Sequence, residues 1–174
     1  MKRTIFSFVS FGAIIIALII SFFATATVYP DGLNNVLGDE IWTIYSVVWG
    51  ITHIKQEYLS DQTSTYFSNA QSFNMFTLFL IIALIIGILC IAFSKKDELR
   101  PLYYAFSVIL IIAAIAFFSA KDTLVSTMQS LQPQVKLGGK AYVECEGHIA
   151  CGVFLLLSGI STAVAGIVSN EDYF

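Results

Sequence analysis

Charge is what this chain has least of. Asp, Glu, Lys and Arg make up only 12% of its 174 residues, about half the roughly 25% usual in soluble domains. The shortage is also localised, since no charged residue occurs in 4–29, 62–94, 101–120 or 147–170. Such gaps exclude an ordinary water-soluble fold, whose helices need one polar face. The chain as a whole is 57% hydrophobic, and each gap contains a long apolar run: 5–28, 75–93, 102–120 and 149–168. A hydrocarbon core of roughly 30 Å takes about 20 residues of helix, and lipid cannot satisfy open backbone groups. The fold class that follows is a membrane all-α, four-transmembrane-helix bundle forming a single domain, 1–174. Long loops at 29–74 and 121–148 lie on one side, and a short loop at 94–101 on the other.

Further absences narrow the function. No Asp, Glu, Lys or Arg lies inside the four runs, whereas pumps and ion pathways usually place ionisable groups there. Matched broken helices, a mark of secondary transporters, are absent too. A net charge of −3 with no Lys/Arg cluster beyond Lys95 and Lys96 gives nucleic acid no footprint. The sequence has no C-x-x-C, G-x-S-x-G, H-E-x-x-H or Gly-rich phosphate loop. Neither long loop contains an N-x-[ST] acceptor. The chain is therefore expected to be non-enzymatic and to carry no cofactor. Glu144-Cys145-Glu146-Gly147-His148 with Cys151 gathers metal-ligating residue types, but C-x-x-H-x-x-C is no zinc spacing, and a structural site needs four good ligands. No metal is expected there.

Cysteine is scarce as well. Of three, Cys90 lies inside the second run as a small packing residue. Cys145 and Cys151 fall on the long-loop side, where disulfides are allowed. Six positions apart on a helix they would point about 120° away from each other. A bond between them needs the helix to start after Cys145, which Gly147 permits; a disulfide and two free thiols both stand as readings.

Lysine and arginine near span ends report the cytoplasmic side. Lys2, Arg3, Lys95, Lys96 and Arg100 lie on the short-loop side, against Lys55, Lys121, Lys136 and Lys140 on the other. Both termini are expected in the cytoplasm and both long loops outside, with the plasma membrane as the location. The start, with Lys2, Arg3, an apolar run and Ala24-Thr25-Ala26, also resembles a secretory leader. Its run is longer than the about 7–15 residues of a leader's apolar region, so the four-span reading is preferred.

What the spans do have is small residues in register. Helix association in lipid relies on close approach at such positions. Gly152, Gly159 and Gly166 recur every seven residues, and Ser158, Thr162 and Gly166 every four. Ala13, Ala17 and Ser21 repeat that spacing in the first span, and Ala83 and Gly87 in the second. The pattern predicts that the fourth span sits centrally and touches the first or second through this stripe.

The first long loop carries five acids, Asp31, Asp39, Glu40, Glu57 and Asp61, against Lys55. Its 41–54 segment is dense in Ile, Val, Thr, Tyr and Trp, which suit a pleated, half-buried surface. Both faces of that segment are apolar, and an isolated hairpin is marginal in water. It is expected in a small β-sheet built from both long loops, with one tryptophan near the membrane interface. Either 134–137 or 141–144 would add a strand, and 64–73 would extend the second span as helix. The final Asp172-Tyr173-Phe174 suits interfacial anchoring better than capture in a peptide groove.

Four spans, a larger strand-rich first loop, Val47-Val48-Trp49-Gly50 and Glu144-x-Glu146-Gly147 before a Gly-rich last span together resemble the claudin superfamily. That superfamily includes the peripheral myelin protein and the amastins. The two loop cysteines that follow the family's Trp motif are missing here. The resemblance implies a tetraspan fold whose external sheet contacts other membrane proteins, laterally or between cells, as a homo- or hetero-oligomer. Its interaction surface would use Trp42, Trp49 and Gly50, with Asp39, Glu40, Glu57 and Asp61 as an acidic rim. Two other roles fit the same composition: an auxiliary subunit of a channel or respiratory assembly, and a small channel or paracellular pore whose acids attract cations.

Overall fold

A computed structural model describes residues 2–29, 40–44, 48–49, 54–58, 63–66, 75–124 and 142–168. The chain divides into two compact units. The first holds 1–20, 75–117 and 150–174, and the second holds 21–74 and 118–149.

Four helices long and apolar enough to cross a bilayer occur among the described residues. They are α1 (Lys2–Phe23), α2 (Met75–Phe93), α3 (Arg100–Phe118) and α4 (Glu146–Ile167). At 1.5 Å per residue, 19 to 22 residues make roughly 28–33 Å of helix, the thickness of a hydrocarbon core. A 3-10 turn, Asp97–Leu99, separates α2 from α3. Pro101 then falls in the first turn of α3, where its missing N–H costs no hydrogen bond.

Within the first unit the helices close a ring. Phe11 and Ile14 of α1 lie against Gly87 of α2. Phe76 of α2 meets Phe117 of α3 with ring centroids 5.0 Å apart. Gly159 and Gly166 of α4 face Ile111 and Tyr103 of α3, and Ser158 and Thr162 of α4 bond Ser10 of α1. The seam of α1 is Arg3, Ser7, Ser10, Ile14, Ala17 and Ser21, all buried, at alternating steps of three and four. Its outer face is Ile5, Phe8, Ile16 and Ile19. Ile85 and Ile88, Ile112 and Ile115, and Val153 and Ile160 face outward on the other helices. Hydroxyls inside and branched apolar side chains outside reverse the pattern that water imposes. The solvent of these faces is lipid, and the chain is a four-helix integral membrane protein.

The small-residue stripe of α4 touches two neighbours, the expected α1 through Ser158 and Thr162 and also α3 through its glycines. Gly159 and Gly166 approach α3, not the first or second span; contact with α1 comes from the hydroxyls of Ser158 and Thr162. A helix surface wide enough to touch two neighbours uses small residues for one and polar residues for the other.

The second unit contains a five-stranded antiparallel sheet in the order β4-β3-β2-β1-β5. Its strands are β1 (Ala26–Tyr29), β2 (Glu40–Ile44), β3 (Ile54–Tyr58), β4 (Thr63–Tyr66) and β5 (Tyr142–Glu144). Val28 pairs with Trp42 on one side and Val143 on the other, and Trp42 in turn with Gln56. Ala26, Val28 and Val143 are buried, as the two-residue period of a strand requires. On the opposite face the Tyr29 hydroxyl donates to a Glu144 carboxylate oxygen, 3.3 Å away.

Two expectations need correction here. The first span does not run to 28: α1 ends at Phe23, and 26–29 is β1. Thr25, Thr27 and Val28 are β-branched and fit a strand better than a helix, and pairing on both edges fixes the choice. The segment 64–73 does not extend α2 as helix, because Thr63–Tyr66 is β4, paired with β3 through Lys55↔Thr65; 67–73 lies outside the described residues. The 41–54 segment enters the sheet as expected, through β2 up to Ile44 and β3 from Ile54, with Val48-Trp49 as a turn. The strand expected at 141–144 is β5, and 134–137 lies outside the described residues.

A Cβ added at Gly159 would stand 2.9 Å from Ile111 Cγ1 and 3.4 Å from the Ser107 carbonyl oxygen, whereas one at Gly12 meets nothing within 4 Å. Gly159→Leu is therefore expected to destabilise the bundle by about 1–3 kcal/mol through overpacking, and Gly12→Leu to leave it unchanged. Thermal melts of both variants in one detergent measure the contrast.

Candidate functional site

The described polar groups of the bundle form a set of clamps along its seams. The largest is Arg3, which is fully buried. Its Nε donates to the carbonyl oxygens of Ala165 at 3.0 Å and Val168 at 3.2 Å. One terminal nitrogen donates to Val168 O at 3.1 Å and the other to Lys96 O at 3.4 Å. The guanidinium carbon stands 5.9 Å from the centre of the Tyr103 ring, within cation–π range.

The chemistry of this contact follows from helix ends. The last four carbonyls of a helix lack intrahelical partners, and the aligned peptide dipoles make that end negative. α4 has no basic residue in its last turn. Arg3 supplies the missing cation from the first turn of α1, and its planar fork of donors reaches several carbonyls at once. The same group also ties both helices to the connection that follows α2. From the sequence, Arg3 reads only as an orientation signal. Two features point further: the uncapped end of α4, and the place of Arg3 on the same seam as Ser7 and Ser10.

Deeper in the bundle, Ser10 Oγ lies 2.7 Å from Ser158 Oγ and 2.8 Å from Thr162 Oγ1. Ser107 Oγ donates to Gly159 O at 2.8 Å, and the Tyr103 hydroxyl to Cys90 O at 2.7 Å. Cys151 Sγ donates to Ala17 O at 3.3 Å. Of the residues singled out for helix packing, Gly159, Gly166 and Thr162 thus each meet a neighbouring helix, and Gly152 is buried in the same row.

The three cysteines are free and buried, so the bond considered between Cys145 and Cys151 is not formed. Gly147 serves instead as a point of close approach. A Cβ there would fall 2.8 Å from Ala24 Cα, so only glycine lets these two backbones come so near. Among the described residues no three His, Cys, Asp or Glu side chains stand together as a metal site.

The residues proposed for an interaction surface are only partly brought together. Glu40 and Trp42 lie on β2. Trp49 is not on a strand but in the turn at 48–49, where its Nε1–H donates to Ser21 Oγ at 2.8 Å. Its ring stacks on Phe22, centroids 5.0 Å apart and planes 7° from parallel. The indole is therefore engaged within the chain. Asp39, Gly50 and Asp61 lie outside the described residues. Glu57 is on β3.

Compared with protein-family models and with curated proteins, the chain matches none. Its assignment rests on the four apolar helices alone: a tetraspan membrane protein in contact with lipid.

Two outcomes are expected. A hydrogen bond to a charged group is worth about 1.5–3 kcal/mol, so Arg3→Met should cost about 3 kcal/mol or more. Arg3→Lys should recover less than half of that, because an ammonium cannot fork across the carbonyls; equilibrium unfolding in mixed micelles reads both. The second concerns Cys145, whose thiol burial pushes up, partly offset by Lys121. A thiol raised on folding stabilises the fold fully below its ordinary value of about 8.5 and loses that contribution as pH rises through the folded value. Stability should therefore fall at alkaline pH, and Cys145→Ala should flatten the fall. Alkylation of Cys145 at neutral pH should be slow, since the thiolate is the nucleophile.

Proposed function

We propose that this tetraspan protein is non-enzymatic and makes lateral or cell-to-cell contacts with other membrane proteins through its sheet, in the manner of the claudin superfamily. The observation that carries the reading is the sheet itself. Strands from both long connections, Ala26–Tyr29, Glu40–Ile44, Ile54–Tyr58 and Thr63–Tyr66 with Tyr142–Glu144, join in one antiparallel array with β4 and β5 as its outer strands. A strand-rich first loop is part of the claudin resemblance, and β5 is the strand expected from the second loop at 141–144. The bundle supports it from the other direction. The only ionisable seam residue of α1, Arg3, is committed to backbone carbonyls, which leaves it no part in moving ions.

The residues this reading assigns to the surface are Trp42, Gly50, Asp39 and Glu40, with Glu57 and Asp61 as further acids. Trp49 holds the first loop in place. Lys2, Arg3, Lys95, Lys96 and Arg100 favour cytoplasmic termini; in that orientation both long loops are external, and the plasma membrane is the location this reading assigns.

Native mass of the protein in mild detergent tests the proposal. A mass above one chain is expected, returning to one chain when Asp39→Lys and Glu40→Lys are combined, with helix content unchanged. A single chain at every concentration, without a bound partner, would overturn it. Stoichiometric recovery with one large assembly would replace it by the role of an auxiliary subunit.

A further inference from the structure

We propose that Phe22, Phe23 and Trp49 form an aromatic anchor that seats the C-terminal end of α1 at the boundary between lipid headgroups and acyl chains. Phe22 is 58% exposed and Phe23 79%, the latter the most exposed large apolar side chain described. They continue, along one unbroken helix, the outward face of Ile5, Phe8, Ile16 and Ile19 that already meets lipid. Beyond Phe23 the helix stops, so these rings stand where the apolar stripe ends.

The partner is identified by how polarity is handled at this spot. An indole usually stays at the membrane interface because its N–H needs a partner there. Here that donor is satisfied inside the protein by Ser21 Oγ at 2.8 Å. The ring also lies flat on Phe22, so the small exposed part of Trp49 presents carbon only. The stacked Phe22 and Trp49 rings, with the exposed Phe23 next along the helix, offer no open donor and suit acyl-chain carbon at headgroup depth. The acids and hydroxyls of a polar protein rim have nothing to bond on it. The turn at 48–49 is thereby fixed to the depth of the last turn of α1. The anchor does not depend on what the sheet binds.

The protein has two tryptophans, Trp42 and Trp49, which makes the test direct. The full chain carrying Trp42→Phe is reconstituted into phosphatidylcholine vesicles brominated either near the headgroup end of the acyl chain or near its terminus. Trp49 emission is expected to fall by about twofold with the shallow bromines, less with the deep ones, and little with aqueous iodide, as an interfacial indole should behave. Quenching by iodide and not by bromolipid would place the ring in water and overturn the anchor. Quenching by neither would show that protein covers it, and stronger quenching by deep bromines would put it below the boundary; both overturn it as well. If Trp42→Phe does not fold, the wild type is compared with Trp49→Phe: the shallow-bromine component must disappear with Trp49.

Discussion

A buried guanidinium that satisfies another helix's carbonyls is the contact on which the bundle depends. Arg3 belongs to the first turn of α1, yet the oxygens it serves are those of Ala165 and Val168 at the end of α4. Removing that cation would leave α4 with open carbonyls and a negative end facing nothing basic of its own. The contact also makes the ring order comprehensible. α1 and α4, first and last in the chain, must be neighbours, and α2 and α3 then close the remaining sides. Ser10 repeats the same pairing two turns further in, and Cys151 with Ala17 does so a third time. The α1–α4 seam is thus polar along its length. The α1–α2 and α2–α3 contacts on Gly87 and on Phe76–Phe117 are steric and aromatic.

That division follows from the solvent. Lipid gives apolar side chains no reason to prefer one another, so helix pairs are selected by shape and by hydrogen bonds. Ile, Val and Phe are left to the outside, where they lose nothing. Hydroxyls are drawn inward because carbon cannot satisfy them. The α1–α4 seam is accordingly built from hydroxyls, carbonyls, a thiol and a guanidinium, joined to one another across the two helices.

How far the sequence discloses this varies by element. The four helices are legible because uncharged runs of bilayer length admit no other backbone form. The two-sided apolar segment around Trp42 implies a sheet, since a lone strand would not survive. Residues 24–29 mislead for a related reason. Hydropathy counts carbon, and a buried strand such as Ala26–Tyr29 scores like the end of a span; only the β-branched Thr25, Thr27 and Val28 differ. Thr63–Tyr66 passes for helix because it opens the long uncharged stretch that leads into α2. The period of Gly152, Gly159 and Gly166 shows that a close contact exists but not with which helix, since periodicity identifies a face and carries no address. Arg3 is hidden by a familiar explanation: a cation at the start of a membrane protein is normally read as a topology signal. Of the candidate surface, Trp49 stands out by residue type, although its hydrogen bond to Ser21 links positions that no local pattern connects.

The place of β1 inside the sheet has a bearing on how the protein is made. β1 pairs with β2 on one edge and with β5 on the other, yet Tyr142–Glu144 is synthesised long after Ala26–Tyr29. From Tyr66 to Glu144 the ribosome adds 78 residues, roughly 4–16 s at about 5–20 residues per second. A sheet of β1 to β4 formed within that interval would leave the backbone of β1 open along one side, the kind of edge that recruits strands from other chains. Two insertions into the bilayer, those of α2 and α3, take place before the closing strand arrives. Strand order alone thus sets a window between the making of β4 and of β5, and a chaperone that shields such an edge would act within it.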